Sequence, residues 1–326
     1  LIADPETGNK LLDARREDVR PCMRCNEECI GRILRYRSKL SCAVNPATGD
    51  ENAMKLTKVE QPKNVVVIGG GPGGMEAARA CAIRGHKVRL YEKNVLGGTL
   101  NAPATAEFKI QIRKLIEYYK VQLNKLGVEI HEYTELSIDS PILAECDRIV
   151  CATGSKPLSL PIPGINGSNV LGVIDAHLKP ELVTGKNLII CGGGMSGCDF
   201  ALEAMTALGR KATVIEMKDD VATDVIMMNQ ISLKESMAEA GVALRCGCRV
   251  KEITGNGVVV INKDGGEELI EGDQVISAFG QNPDKDMVNK LRDKYYKKTI
   301  FIGDCVKAAK SGDAIRGGYC AALSIN

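Results

Sequence analysis

The sequence predicts an α/β fold with two parallel-sheet domains, the first interrupted by the second, and a Cys-rich segment ahead of both. Two observations predict the domains: an apolar strand, a Gly-rich turn, a helix and a second strand occur at residues 64–92, and the pattern returns at 187–216. A chain of 326 residues is long enough for two domains of ordinary size. The third observation is a charged, weakly periodic stretch before residue 62 that holds closely spaced cysteines.

The composition excludes several classes of partner. Charged residues nearly cancel, to a formal net charge of +2, which argues against nucleic acid or an anionic membrane. No apolar run approaches the roughly 20 residues needed to span a bilayer, and the first residues lack an export signal. Most of the 13 cysteines lie in strand-like or helix-like runs rather than in a small disulfide scaffold. We therefore expect a cytoplasmic protein whose partners are small molecules or other proteins.

The remaining elements follow from periodicity. We predict a helix over 108–126, a strand over 128–131, a Pro-rich crossing near 157–163, a helix over 228–240, a hairpin over 250–269, a strand over 274–279 and a final helix from about residue 314. Residues 46–62 are typical of a linker that wraps around a domain rather than packing into it. The predicted layout is a Cys-rich segment and linker at 1–62, a first domain at 63–158 and 281–326, and a second domain at 159–280.

The first Gly-rich turn has the pattern of a dinucleotide-binding loop. Gly69, Gly71 and Gly74 stand in a GxGxxG arrangement between an apolar strand and a helix. Such glycines make the tight turn, admit a pyrophosphate to the backbone and let the helix pack closely on the strand. Glu92 ends the next strand, where a carboxylate can accept the hydroxyls of an adenosine ribose. We interpret this unit as Rossmann-like.

The second Gly-rich turn repeats the arrangement with Gly192, Gly194 and Gly197, and Glu216 ends its second strand. A carboxylate at this position repels a 2′-phosphate, so the sequence favours NADH over NADPH. A degenerate repeat that binds no nucleotide is the alternative.

Three further segments assign the first domain to FAD. A turn after Glu92 is placed to approach the flavin diphosphate, a strand ends where the chain crosses over, and a late carboxylate can bind a ribityl hydroxyl ahead of a helix whose N-terminus faces the flavin. The residues of these segments are Gly98, Thr99 and Leu100, then Thr153 and Gly154, then Gly303 and Asp304, and Ile315 on the helix.

Four cysteines form a candidate metal centre. Cys22, Cys25 and Cys29 lie on one short turn, and Cys42 follows on the returning chain. This spacing favours a [4Fe–4S] cluster, which takes four thiolates. Structural zinc, which prefers two separated Cys pairs, is an alternative, as is a redox pair made by Cys22 and Cys25.

The whole chain resembles a known family. Residues 63–326 are similar to the two-nucleotide flavoprotein disulfide reductases, and the Arg20-Pro21-Cys22-x-x-Cys25-Asn26 segment and the Ile302-Gly303-Asp304-Cys305 segment extend the resemblance. They resemble the C-terminal part of the NADH:flavin oxidoreductases related to 2,4-dienoyl-CoA reductase, enoate reductase and trimethylamine dehydrogenase. In that family an FMN-binding TIM barrel precedes this part. The opening Leu1-Ile2-Ala3-Asp4-Pro5 resembles the exit from the barrel, so we expect a fragment of a longer enzyme.

The resemblance implies an electron relay. Hydride passes from NADH to FAD, and single electrons pass through the cluster to FMN on the barrel, where an activated C=C bond is reduced. This chain then needs no acid–base catalytic residue, and its three histidines form no such pattern. A homo-oligomer is left open.

Three other functions compete with the relay. The chain could be a stand-alone diaphorase or a ferredoxin-linked oxidoreductase similar to the small subunit of glutamate synthase. It could be a disulfide reductase, for which Cys246-Gly247-Cys248 is the candidate redox pair. It could also be a docking module that holds a nucleotide without reacting.

Overall fold

The computed structural model describes residues 1–326. Its α-helices are α1 (Thr7–Leu12), α2 (Arg32–Tyr36), α3 (Pro72–Ile83), α4 (Ile110–Lys125), α5 (Pro141–Glu145), α6 (Val173–Leu178), α7 (Met195–Thr206), α8 (Met227–Glu239), α9 (Asp286–Tyr295) and α10 (Ser311–Ser324). Its strands are β1 (Asn64–Ile68), β2 (Lys87–Tyr91), β3 (Glu129–His131), β4 (Arg148–Cys151), β5 (Ser155–Pro157), β6 (Val170–Gly172), β7 (Asn187–Cys191), β8 (Lys211–Glu216), β9 (Ala243–Cys246), β10 (Arg249–Thr254), β11 (Gly257–Ile261), β12 (Glu267–Glu271), β13 (Gln274–Ser277), β14 (Gln281–Pro283) and β15 (Thr299–Phe301). No helix is both long and apolar enough to cross a membrane.

The chain divides into two compact units. The first comprises residues 1–104, 109–156 and 282–326, and the second comprises 105–108 and 157–281. The first unit is therefore interrupted by the second, and its C-terminal part includes β15 and α10. The α/β fold class predicted from the sequence is confirmed by this architecture.

The first unit is built on a five-stranded sheet in the order β15-β4-β1-β2-β3, with every neighbouring pair parallel. Four of the five residues of β1 are buried, as expected for a central strand covered on both faces. The helix α10 packs closely on α3: a Cβ atom on Gly318 would lie 2.1 Å from the carbonyl oxygen of Gly73. This contact brings the C-terminal helix against the helix that follows the first Gly-rich turn.

Residues 1–62 belong to the same unit. Ala3 and Val44 are buried in its main core together with Met75 of α3, and Met54 and Leu56 pack against that core. The stretch at 46–62 is thus not merely a wrapping linker. It contributes apolar side chains because its turns place them over the edge of the core, and an irregular stretch shows no periodicity from which that burial could be predicted.

The second unit holds a parallel sheet in the order β6-β13-β7-β8-β9. A separate antiparallel sheet, β10-β11-β12, covers the stretch predicted as a hairpin. The prediction was incomplete because the β10–β11 turn at 255–256 is short and lacks the Gly pair that marks the β11–β12 turn at 265–266.

Candidate nucleotide sites and cysteine cluster

The first Gly-rich turn has the geometry of a phosphate-binding loop. Gly69 has φ +104°, and a Cβ atom there would lie 2.2 Å from the carbonyl oxygen of Ala152. A Cβ atom on Gly74 would lie 1.9 Å from the carbonyl oxygen of Gly69, so helix and strand are as close as the pattern predicts. A Cβ atom on Gly71, by contrast, would meet nothing within 4 Å. The open face at Gly71 fits an approaching pyrophosphate.

The carboxylate of Glu92 organises this turn. It accepts the backbone N–H of Gly70 at 2.7 Å through Oε2 and that of Asn94 at 2.8 Å through Oε1, and it is 8% exposed. Oε2 thereby lies at the turn that precedes α3, where a ribose next to a pyrophosphate would lie. The predicted position of Glu92 fits an adenosine-binding carboxylate.

The turn at residues 97–100 packs against the first Gly-rich turn. Gly97 donates its N–H to the carbonyl of Gly70 at 2.9 Å, and a Cβ atom on Gly98 would lie 2.8 Å from the Cα of Gly71. Leu100 is buried at the end of this turn. The structure thus places Gly98 against the first Gly-rich turn, with Thr99 and Leu100 directly after it, and the approach of these residues to the flavin diphosphate stays a prediction.

The C-terminal part of the first unit lines a cavity of about 390 Å³, with lining residues that run from Phe301 to Gly317. Gly303 and Asp304 both line this cavity. Asp304 accepts the Ser155 hydroxyl at 3.2 Å and the backbone N–H of Ala309 at 3.2 Å. Burial raises the pKa of Asp304 above its ordinary value, against the lowering effect of these two donors.

The other predicted flavin residues fall into two groups. Gly154 follows β4, has φ +78° and would accommodate a Cβ atom without contact, and Thr153 lies beside it at the carboxyl end of the sheet. Ile315 is fully buried in α10 and belongs to the core of the unit. Its side chain therefore supports the helix rather than lining the cavity.

The second Gly-rich turn reproduces the first in the other unit. Glu216 accepts the N–H of Gly193 at 2.7 Å and that of Lys218 at 2.9 Å. A Cβ atom on Gly197 would lie 2.0 Å from the carbonyl oxygen of Gly192. A second carboxylate at this turn, that of Asp224, stands opposite Gly194. It lies in an irregular segment without a motif, so no sequence pattern indicates it.

Backbone N–H groups point at the cysteine sulfurs. The N–H of Arg24 donates to the Cys22 sulfur at 3.3 Å, and those of Val44 and Asn45 bond to Cys42. Burial raises the pKa of Cys25 to about 11, and the thiols of Cys29, Cys42 and Cys22 add to that rise. The four sulfurs are therefore within electrostatic reach of one another, and N–H donors of this kind stabilise thiolates that bind a metal centre.

The same cysteines do not converge on one point. No group of three or more His, Cys, Asp or Glu side chains in the chain is close enough to hold a single metal ion. A zinc ion with bonds of about 2.3 Å would need its sulfurs about 3.8 Å apart. In a cubane each thiolate binds a different iron, so the four sulfurs of a cluster site are spaced more widely than those of a zinc site. All four cysteines are free thiols.

A buried charged cluster anchors the cysteine segment. Arg20 donates to the Tyr118 hydroxyl at 3.3 Å and to the carbonyl of Val44, and it lies 3.7 Å from the carboxylate of Glu76, to which Arg79 is also paired. The members of this cluster are far apart in the sequence, so no local motif indicates it.

The pair Cys246 and Cys248 lies in the second unit, beside Glu216. The backbone N–H of Cys248 donates to the carbonyl of Glu216 at 3.0 Å, and Cys246 is paired in register with Glu216 across β8 and β9. Cys248 is buried. The pair therefore borders the carboxylate predicted to bind adenosine.

Two parallel-sheet units, each with a Gly-rich turn organised by a carboxylate, define the class of NAD(P)H-dependent flavoprotein oxidoreductases. The chain belongs to the pyridine nucleotide-disulphide oxidoreductase family, whose model matches residues 63–300. That family binds FAD and a nicotinamide nucleotide. The resemblance noted from the sequence is thereby confirmed.

Longer relatives share the whole chain. An NADH oxidase of Thermoanaerobacter brockii is 32% identical over 100% of this chain and 50% of its own length. A cinnamate reductase of Clostridium sporogenes is 35% identical over 100% of this chain and 48% of its own. The solved structure of a 2-naphthoyl-CoA reductase complex superposes with a TM-score of 0.94 at 32% identity, over 100% of this chain and 49% of that one. The chain therefore spans about half the length of the relatives it matches.

Proposed function

We propose that this chain is the electron-input part of an ene-reductase-type flavoenzyme. NADH binds at the second Gly-rich turn and delivers hydride to FAD at the first. Single electrons then leave through a [4Fe–4S] cluster on Cys22, Cys25, Cys29 and Cys42 to FMN on a TIM barrel, which reduces an activated C=C bond. The relatives named cinnamate reductase and 2-naphthoyl-CoA reductase, each about twice as long as this chain, support the barrel and the class of reaction.

One observation carries the proposal: α10 touches both the cysteine segment and the first Gly-rich turn. A Cβ atom on Gly312 would lie 3.0 Å from the Cβ of Ala43, next to Cys42, and one on Gly318 would lie 2.1 Å from the carbonyl of Gly73. The two contact points are separated by about 9 Å along the helix axis, at 1.5 Å per residue. The cysteine segment and the first Gly-rich turn are therefore both packed against one helix of the same unit, which supports electron transfer between the groups proposed to bind there.

The residues of the first unit would bind and orient the flavin nucleotide. Glu92 is placed for the adenosine ribose, Gly71 for the pyrophosphate and Asp304 for a ribityl hydroxyl. FAD, when bound, supplies the chemistry that accepts an electron pair and releases electrons singly. The protein supplies binding, position and electrostatics.

The cluster assignment depends on the donors and on their electrostatic surroundings. Four thiols with backbone N–H donors to their sulfurs match the ligands of a cubane. Arg20, which is 8% exposed, donates to the carbonyl of Val44, two residues after Cys42, and to the hydroxyl of Tyr118 on α4, so it holds this part of the segment against the unit.

The test is an anaerobic titration of the purified chain with NADH, followed by flavin absorbance, with iron and acid-labile sulfide assayed on the same sample. Bleaching of the flavin with about four irons per chain is the expected result, since a cubane contains four irons. Flavin bleaching without iron or sulfide would favour a diaphorase or a zinc site. A flavin that NADH leaves oxidised would favour the docking module.

A further inference from the structure

The two Gly-rich turns are built alike, so each serves as a control for the other. In both, the second residue of the turn donates its N–H to a carboxylate at 2.7 Å, and the last glycine of the motif lies against the carbonyl of the first. Both turns lead directly into a helix of 12 residues. The turns differ in the residue after the second glycine: it is Pro72 in the first, which has no backbone N–H, and Met195 in the second, which has one.

A further difference lies at the second glycine of each turn. A Cβ atom on Gly71 of the first turn would meet nothing within 4 Å, whereas one on Gly194 would lie 4.0 Å from both carboxylate oxygens of Asp224. Asp224 accepts the backbone N–H of Met195, the first residue of α7, at 3.2 Å through Oδ1. Its other oxygen is 3.5 Å from the same nitrogen. A protein carboxylate thus lies where a dinucleotide would place its pyrophosphate.

The backbone around Asp224 is anchored. Ala222 has φ +51° and donates its N–H to the carbonyl of Gly193 at 2.7 Å. Val221 is fully buried and its carbonyl accepts the side-chain amide of Gln230 at 2.7 Å. The segment is therefore held against the turn, and the carboxylate of Asp224 is presented to the helix N-terminus in a defined position.

We propose that Asp224 is an internal anion that competes with the pyrophosphate of the nicotinamide nucleotide and so sets its affinity and lifetime at the second turn. This inference rests on the proposed function, because it takes the second turn as the NADH site. A helix N-terminus favours one anion, and a carboxylate and a pyrophosphate cannot share its N–H groups without repulsion. The nucleotide must displace the carboxylate in order to bind, and the carboxylate returns when the nucleotide leaves.

This arrangement suits the different tasks of the two sites. A flavin stays bound through turnover, and the first helical residue of its turn, Pro72, has no backbone N–H to hold a carboxylate as Met195 holds Asp224. The oxidised nicotinamide nucleotide must leave in every cycle, and release of a product often limits turnover. An internal anion lowers the affinity at the second turn without altering the turn itself.

The test compares NADH binding to the wild-type chain with binding to Asp224→Asn and Asp224→Ala. Asparagine keeps the shape and an oxygen acceptor for Met195, so it isolates the charge, while alanine removes the competitor altogether. Glu239→Gln is the matched control: it removes one exposed negative charge at the C-terminal end of α8, the end opposite to the carboxyl edge of the parallel sheet. FAD content and melting temperature establish that each variant is folded.

We expect the Kd for NADH to fall about two- to five-fold in both Asp224 variants, with slower dissociation, because a charge at a helix terminus is worth about 0.3–1 kcal/mol. Glu239→Gln should keep the wild-type value. If the wild type binds NADH and both Asp224 variants bind it equally well or more weakly, the proposed competition by Asp224 is wrong, but the chain still has an NADH site. If no form binds NADH, both the site and this inference are wrong.

Discussion

Arg20 lies 3.7 Å from the carboxylate of Glu76, and the two side chains are only 8% and 0% exposed. The contact joins the cysteine segment to α3, the helix that follows the first Gly-rich turn. Burial acts to raise the pKa of Glu76, but Arg79 and Arg20 together outweigh it and hold that pKa below its ordinary value. A buried carboxylate shared by two guanidinium groups therefore couples the two predicted redox sites of the first unit.

Replacing Arg20 with Met should destabilise the first unit by about 2–4 kcal/mol, because the partners in the buried cluster lose a charged donor. The iron content per chain should fall with it, since Arg20 holds the carbonyl of Val44, whose N–H bonds to Cys42. Thermal unfolding and iron analysis measure the two effects. Arg15→Met is the control: its pair with Asp13 is exposed, so no measurable change is expected. Equal melting temperatures and equal iron contents in the Arg20 and Arg15 variants would show that Arg20 does not hold the cysteine segment in place.

The stability of the wild type should depend on pH through Glu76. A carboxyl group whose pKa is lower in the folded than in the unfolded protein stabilises the fold when the pH is above its unfolded pKa, 4.5 for Glu76. That stabilisation is lost as the pH falls through the pKa of the folded state. Glu76→Gln should be less stable than the wild type at neutral pH, and the gap between their melting temperatures should narrow from about pH 6 to about pH 3. If the melting temperatures of the two proteins differ by the same amount throughout this pH range, Glu76 does not titrate as described.

Gly71→Ala and Gly74→Ala should differ sharply. A Cβ atom on Gly71 meets nothing within 4 Å, so the apoprotein should keep its stability, but the methyl group would block the approach of the flavin pyrophosphate and FAD content should fall. A Cβ atom on Gly74 would lie 1.9 Å from the carbonyl of Gly69, so that variant should fold poorly. FAD content and apoprotein melting temperature distinguish the two. Full FAD occupancy in Gly71→Ala would show that the flavin pyrophosphate does not bind against Gly71.

Cys22→Ala should lose iron and one-electron transfer from NADH to cytochrome or ferredoxin, while FAD remains bound. Cys320→Ala is the matched control, because Cys320 is an exposed free thiol on α10 and is not one of the four predicted ligands. It should keep both iron and electron transfer. Wild-type rates of cytochrome reduction in Cys22→Ala would rule out a relay through the cluster.

Glu216→Ala should weaken NADH binding more than NADPH binding. The carboxylate organises Gly193 and Lys218, and loss of a charged hydrogen-bonding group of this kind should raise the Kd for NADH by about ten-fold or more. For NADPH, relief of repulsion from the 2′-phosphate offsets part of that loss. Measured affinities for both nucleotides give the ratio, and an unchanged ratio would contradict the assignment of Glu216.

Local sequence was sufficient where the structure depends on neighbours in the chain. Both Gly-rich turns, with Glu92 and Glu216 at the following strand ends, were predictable because the spacing of small and apolar residues determines a βαβ turn directly. The helix after the first turn begins at Pro72, since proline suits the first helical position and its missing N–H costs nothing there. The packing of residues 1–62 was not predictable in the same way.

The sequence by itself determined the α/β class, the two nucleotide-type turns, the four-cysteine segment and the family, because each depends on residue type at fixed short spacings. Only the tertiary structure decided that Arg20 meets Glu76, that α10 lies between the cysteines and the first turn, and that Asp224 faces Gly194. The partners in each of these contacts come from different elements. Their meeting follows from how whole helices and sheets pack to bury apolar surface, and no local pattern records that packing.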